Sequence, residues 1–212
     1  MATAAFAVAA LAVMLLGVTQ TMAASASARS SAVLRAAEIL PRGRDRDTML
    51  ARAHEVIVDA VKLAPSNGEI RGRDARALYL QATTATVEDI SQPLLTAAEA
   101  AAVQAAKDSP DDAGAAATLA MIALARAGAP TPAGAQWVVR SYGGRARDLE
   151  TVLWRAQAAG AMWALLDARV KLAAANETCQ LLYAPQTRAR AEPVAIRMGD
   201  EFGECAAIRP AF

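Results

Sequence analysis

The stretch from Ala98 to Gly128 restricts the fold more than any other part of the chain. Two alanine-rich runs flank Asp108-Ser109-Pro110-Asp111-Asp112. Alanine is the strongest helix former, so both runs read as helices. Proline cannot continue a helix interior, and the aspartates offer oxygens to the free N–H groups of the helix that follows. So short a link between two helices predicts an antiparallel hairpin, and parts of this hairpin recur elsewhere in the chain.

Composition supports an all-α reading. The chain of 212 residues is 55% hydrophobic but only 4% aromatic. Much alanine with few rings predicts helices that approach closely rather than a large apolar cavity. Beta-branched and aromatic residues are too sparse for a sheet protein. The 22 basic and 21 acidic residues nearly cancel, so there is no bulk electrostatic footprint for nucleic acid.

No charged side chain precedes Arg29, and Phe6 to Val18 is a continuous apolar run followed by Thr19-Gln20-Thr21. Small residues come next, with Ala-x-Ala patterns at Ala24-Ser25-Ala26 and Ala26-Ser27-Ala28. Residues 1–28 therefore read as a signal peptide cleaved near 24–28, which predicts a periplasmic or otherwise extracytoplasmic protein. The alternative is an uncleaved inner-membrane anchor. No Lys or Arg precedes the apolar run, whereas Arg29 and Arg35 follow it, which would favour a body on the cytoplasmic side. Cys179 and Cys205 are the only cysteines. In an exported chain such a pair reads as one disulfide, worth about 3–4 kcal/mol for a loop of that length, with two unpaired thiols as the alternative.

Beyond residue 28 the pattern predicts a helical-repeat domain over 29–175 and an irregular, disulfide-pinned tail over 176–212. Ser30-Ser31 can cap a short helix ending at Leu40, and Thr48 to Ala64 carries Leu50, Ala53, Ile57 and Val61 on one face. Helices are further expected over Ala75–Thr83, from Pro93 to Lys107, over Ala113–Ala127 and over Ala133–Tyr142. The longest is expected to run from Asp148 to at least Ala175, with two apolar stripes and hence neighbours on both sides. After Asn176 the periodicity fails, and Val194–Met198 fits a short strand or a turn of helix.

A shift of 45 residues aligns Ala53 with Ala98, Ala60 with Ala105, Lys62 with Lys107 and Pro65 with Pro110. Val61-Lys62-Leu63-Ala64 is echoed by Val170-Lys171-Leu172-Ala173. Such echoes suggest hairpins that bury one continuous core by stacking. On Ala98, Ala105, Pro110, Leu119, Ala120 and Ala123, with Ala53, Ala60 and Pro65 in the earlier half-unit, the chain resembles a tetratricopeptide-type repeat protein over residues 48–128. The spacing departs from that family's period of about 34, and Ala102 and Ala116 occupy its bulky aromatic positions. The resemblance implies an α-solenoid offering a concave helical surface to protein or peptide partners.

Candidate chemistry is sparse. His54 is the only histidine, and no nearby residue suggests a nucleophile, so it reads as a structural helix histidine. Asp111-Asp112 reads as helix capping, and Asp200-Glu201 sits in a turn. Gly199 to Gly203 lacks the strand and lysine of a phosphate loop. No cofactor or metal site is expected. Arg42, Arg44, Arg46, Arg71, Arg73, Arg76, Arg145 and Arg147 fall at or before expected helix starts. In register, Arg42, Arg44, Arg71, Arg73, Arg145 and Arg147 could form a rim for an anionic partner; otherwise they are solvated turns balanced by Asp45, Asp47, Asp74 and Asp148. Trp137 and Trp163 read as packing residues.

The expectation is a non-catalytic exported adaptor or scaffold for protein partners in a cell-envelope complex, with the membrane touched only through residues 1–28 if these are kept. The alternatives are a carbohydrate- or lipid-binding accessory module and, less favoured, an enzyme built around His54.

Overall fold

The computed structural model describes residues 2–199, apart from the side chains of 2–9, 11 and 12. Among the described residues the chain is all-α. It comprises α1 (Ala2–Ile39), α2 (Arg44–Leu63), α3 (Gly68–Thr84), α4 (Glu88–Asp108), α5 (Ala113–Ala127), α6 (Pro132–Gly143), α7 (Leu149–Met162), a 3-10 turn (Trp163–Leu165), α8 (Ala168–Tyr183) and α9 (Pro185–Met198).

Short polar side chains set most of the helix starts, as their capping chemistry requires. Asn67 accepts from Ile70 N–H, Asp112 from Gly114, Thr131 from Gly134, Asp148 from Thr151 and Asp167 from Val170. Pro132 and Pro185 occupy first-turn positions, where a missing N–H costs nothing. Gly128, at φ 67°, ends α5 in the left-handed region that favours glycine.

Adjacent helices pair as antiparallel hairpins: α1 with α2, α3 with α4, α5 with α6, and α8 with α9. Each of α2, α4, α6 and α8 packs on the odd-numbered helices before and after it. The odd-numbered helices touch in succession from α1 to α9. Alanine makes these close contacts possible: Ala75, Ala102, Ala105 and Ala115 are buried in one cluster with Leu119. Larger side chains, among them Leu50, Ile122, Leu153, Met162 and Leu181, fill the main core.

Several expectations are corrected. Ser30 and Ser31 cap nothing; they lie within α1, where Ser30 donates across to the Ala53 carbonyl at 2.8 Å and Ser31 back to that of Ser27. Arg71–Asp74 is not a helix start, because α3 begins earlier, at Gly68. Proline 93 stands inside α4, not at its opening. The expected long helix from Asp148 is two helices, broken by the 3-10 turn and restarted by the Asp167 cap. Each of the two apolar stripes read there is divided between α7 and α8 by this break. The tail is not irregular over residues 176–199: α8 continues to Tyr183, and α9 carries Ala191, Val194 and Met198 into the main core. Val194–Met198 is helix. Asp200-Glu201, Gly203 and Cys205 lie outside the described residues.

Candidate functional site

The expected arginine rim divides between two places. Arg42 and Arg44 are exposed at the start of α2. Arg71, Arg73, Arg145 and Arg147 gather near the opposite end of that helix, beyond its 20 residues, or about 30 Å of rise. The two groups do not share one rim.

The gathering end is built by close backbone approach. A Cβ on Gly68 would stand 2.7 Å from the Ala105 carbonyl oxygen, and one on Gly144 2.7 Å from that of Asp111. Glycine at these positions lets α3 and the 144–148 segment close onto the 108–112 turn. Arg145 N–H donates to the Asp111 carbonyl at 2.7 Å. A Cβ on Gly72 would meet Asp112 Oδ2 at 2.7 Å, so this glycine makes room for a carboxylate.

Each arginine here stands beside an acid. Arg73 donates to Ser27 Oγ at 2.7 Å, to Glu69 at 2.7 Å and to Asp148 at 2.8 Å, tying α1, α3 and the start of α7 together. Arg147 reaches Glu69 at 3.3 Å, Arg71 reaches Asp108 at 3.3 Å, and Arg145, 78% exposed, lies 3.6 Å from Asp111. Such a self-neutralised cluster carries little net field for an anion.

Between these groups runs a narrow crevice lined by Glu69, Arg73, Asp112, Asp148 and Trp154, with room for water and not for a drug-sized ligand. Burial pushes the Asp112 carboxyl up to about 6, against the hydrogen bonds it accepts from Gly114 and Ala115; neighbouring Glu69 raises it further. Burial would also raise Asp148. There the Thr151 backbone and hydroxyl, with Arg73 and Arg76, prevail and hold it below the usual value.

Deeper in the body lies an alternating four-charge clamp that local sequence patterns do not reveal. Arg76 on α3 meets Glu38 of α1 at 2.5 Å. Arg190 on α9 grips Glu150 of α7 through two bonds, at 3.0 and 2.9 Å, and also bonds Glu38. Arg76 additionally lies over the Trp154 ring, 4.6 Å from its centroid. The Trp154 indole donates to Thr118 at 3.0 Å, and Tyr79 meets the same ring edge-on. Of these residues sequence reasoning singled out Arg76, for a helix start. Glu38 and Arg190 are 152 positions apart, so no local motif could join them.

His54 Nδ1 lies 2.8 Å from Asp74 Oδ1 and links α2 to α3. Trp137 and Trp163 are partly buried against the main core. Among the described residues no group of three His, Cys, Asp or Glu side chains could hold a metal ion. Cys179 is buried on α8, and its expected partner Cys205 falls outside the description.

These features define an all-helical protein of antiparallel helix pairs, clamped internally by charge. Comparison with protein-family models, curated proteins and solved structures finds no match.

Proposed function

We propose that this chain is a non-catalytic adaptor, a tetratricopeptide-like stack of hairpins exported to the cell envelope, where its helical surface binds protein partners. The observation that carries this reading is how the charged groups are used. The clamp and the arginine cluster tie helix to helix around a narrow crevice with room for water. The outer faces meanwhile present large apolar side chains suited to a partner. Around the α7–α8 corner, an open apolar groove is lined by Trp163, Leu166 and Leu172, with Leu165 exposed nearby. Export also accommodates a Cys179–Cys205 disulfide tying α8 to the C-terminal segment.

Cross-linking in envelope fractions, followed by affinity recovery, tests the reading. A defined protein should be captured by the native chain and lost from a Leu165→Asp, Leu172→Asp variant that keeps its thermal midpoint. Recovery of monomer alone across salt conditions overturns it. Intact mass with and without reduction tests the disulfide, since both thiols should resist alkylation until reduced.

A further inference from the structure

The first half of α1 is unlike any other described segment. From Ala23 onward α1 belongs to the body. Ala23 and Ala26, 0% and 5% exposed, pack with Ile57, Ala60, Ala64 and Ile70, while Ser27 and Ser30 bond Arg73 and Ala53. Over residues 13–22 the large apolar side chains stand clear of the body. Val13, Met14, Leu15, Leu16, Val18 and Met22 are 54–72% exposed, and a Cβ on Gly17 would meet nothing within 4 Å.

We infer that residues 2–22 are kept in the mature protein and seat in a lipid bilayer, from which the helical body is held by the unbroken α1. Three observations select lipid as the occupant. Val13 to Leu16 are consecutive, and steps of about 100° carry four such residues nearly around the helix. A protein groove or a second copy covers one face of a helix, whereas lipid covers all of them. The hydroxyls of Thr19 and Thr21 are satisfied within the helix, donating to the Leu16 and Gly17 carbonyls at 2.9 and 2.8 Å, as apolar surroundings require. No charged residue occurs before Arg29, which sits exposed beyond the apolar stretch.

The length also fits. Among the described residues no helix is long and apolar enough to cross a membrane, but the apolar sequence runs back beyond the described side chains to Ala2. Residues 2–22 at helical rise span about 30 Å, the thickness of a hydrocarbon core. Both Ala-x-Ala patterns, by contrast, lie within the packed part of α1. Cutting at 24–28 would remove Ala23 from its place over Ile57 and Ala60. The inference goes beyond the adaptor reading: it puts a retained anchor in place of a cleaved leader, and it depends neither on which protein the body binds nor on which side of the membrane holds the body.

The test uses the full-length chain, isolated in mild detergent and reconstituted with uncharged phosphatidylcholine vesicles. The protein from the membrane fraction should have its full-length mass, float with the vesicles and stay with them in ~1 M salt, where surface electrostatics are screened. Met14→Asp with Leu15→Asp should weaken flotation by at least about tenfold, given the cost of charge in the bilayer, with an unchanged thermal midpoint because both positions are exposed. A mass lacking the residues before 24–28 overturns the inference. So does flotation by the charged variant equal to that of the native chain, or a discrete oligomer that stays off vesicles because a second copy covers the helix.

Discussion

Asp112 combines two roles that pull in opposite directions. Its Oδ1 caps α5 at 3.0 Å from Gly114 N, while burial favours its neutral form. With its folded value near 6 and an ordinary value of 3.8, the native state binds more protons than the unfolded chain between those limits. The contribution is therefore complete below about pH 4 and is lost as pH rises through about 6. Asp112→Asn keeps a good cap and removes the charge. It should flatten that part of the pH–stability curve and leave the variant more stable than the native chain at pH 7 by about 1–2 kcal/mol. Thermal midpoints of both proteins between pH 4 and 7.5 check this. Glycines make a second residue-scale contrast. Gly68→Ala drives a Cβ toward backbone that cannot yield and should cost about 1–3 kcal/mol. Gly17→Ala meets nothing and should be neutral or favour the helix by up to about 1 kcal/mol. Denaturant unfolding of the two variants separates these cases. Sequence reading recognised the capping role of Asp112, because a cap is local. It could not see the burial, which needs Gly72 of a different helix.

At the scale of elements, capping chemistry decides where helices begin, and tertiary contacts decide which helices are kept apart. Asp167 shows the first. Its carboxylate accepts from Val170 N–H at 2.9 Å and restarts the chain as α8 after the 3-10 turn. Asp167→Ala should cost about 1 kcal/mol, read as a lower denaturation midpoint, with partial fraying of α8 by hydrogen exchange. The 148–175 stretch has helical periodicity on both sides of this break, so apolar spacing alone merged the two helices. Gly68 and Gly72 lie ahead of the helix expected from Ala75, yet both belong to α3 and are small because the α4 end and the start of α5 approach there. The four-charge clamp joins elements that no periodicity connects. Glu38→Gln leaves Arg190 and Arg76 short of a buried partner and should destabilise by about 3 kcal/mol. The Glu38→Gln, Arg190→Met double variant should cost less than the sum of the singles, a coupling measurable in a double-mutant cycle.

On the scale of the whole molecule, the charged clamp draws the end of α1 and α9 together, so the first and last described helices take part in holding one body. Removing residues 1–21 should leave the thermal midpoint of the body unchanged, since the large apolar side chains described there are exposed. Removing residues 1–28 should lower it by several degrees, because Ala23 and Ala26 leave a gap over Ile57 and Ala60 and Arg73 loses the Ser27 hydroxyl. Calorimetry of the two truncated chains distinguishes a helix that is cargo from one that is core. The same division explains why the N-terminus read as a removable leader. Its composition is that of a targeting segment throughout, and among its described residues Ala23 and Ala26 are the buried apolar ones that pack on α2.

By itself the sequence determined the all-helical class, the two helices of 98–128 with the turn between them, the helix starts at Asp112 and Asp148, and the charge-free N-terminal stretch. All of these follow from propensity and from hydrogen bonds made within a few residues. Tertiary structure alone decided that α3 begins before its arginines, that residues 148–175 form two helices, and that 176–199 is helical and carries core residues. It also decided that the arginines are matched by acids from distant helices. Those outcomes depend on which surfaces meet. A contact between Glu38 and Arg190 leaves no trace in either residue's own neighbourhood, because the free energy that holds it arises only when the chain has already brought α1 and α9 together.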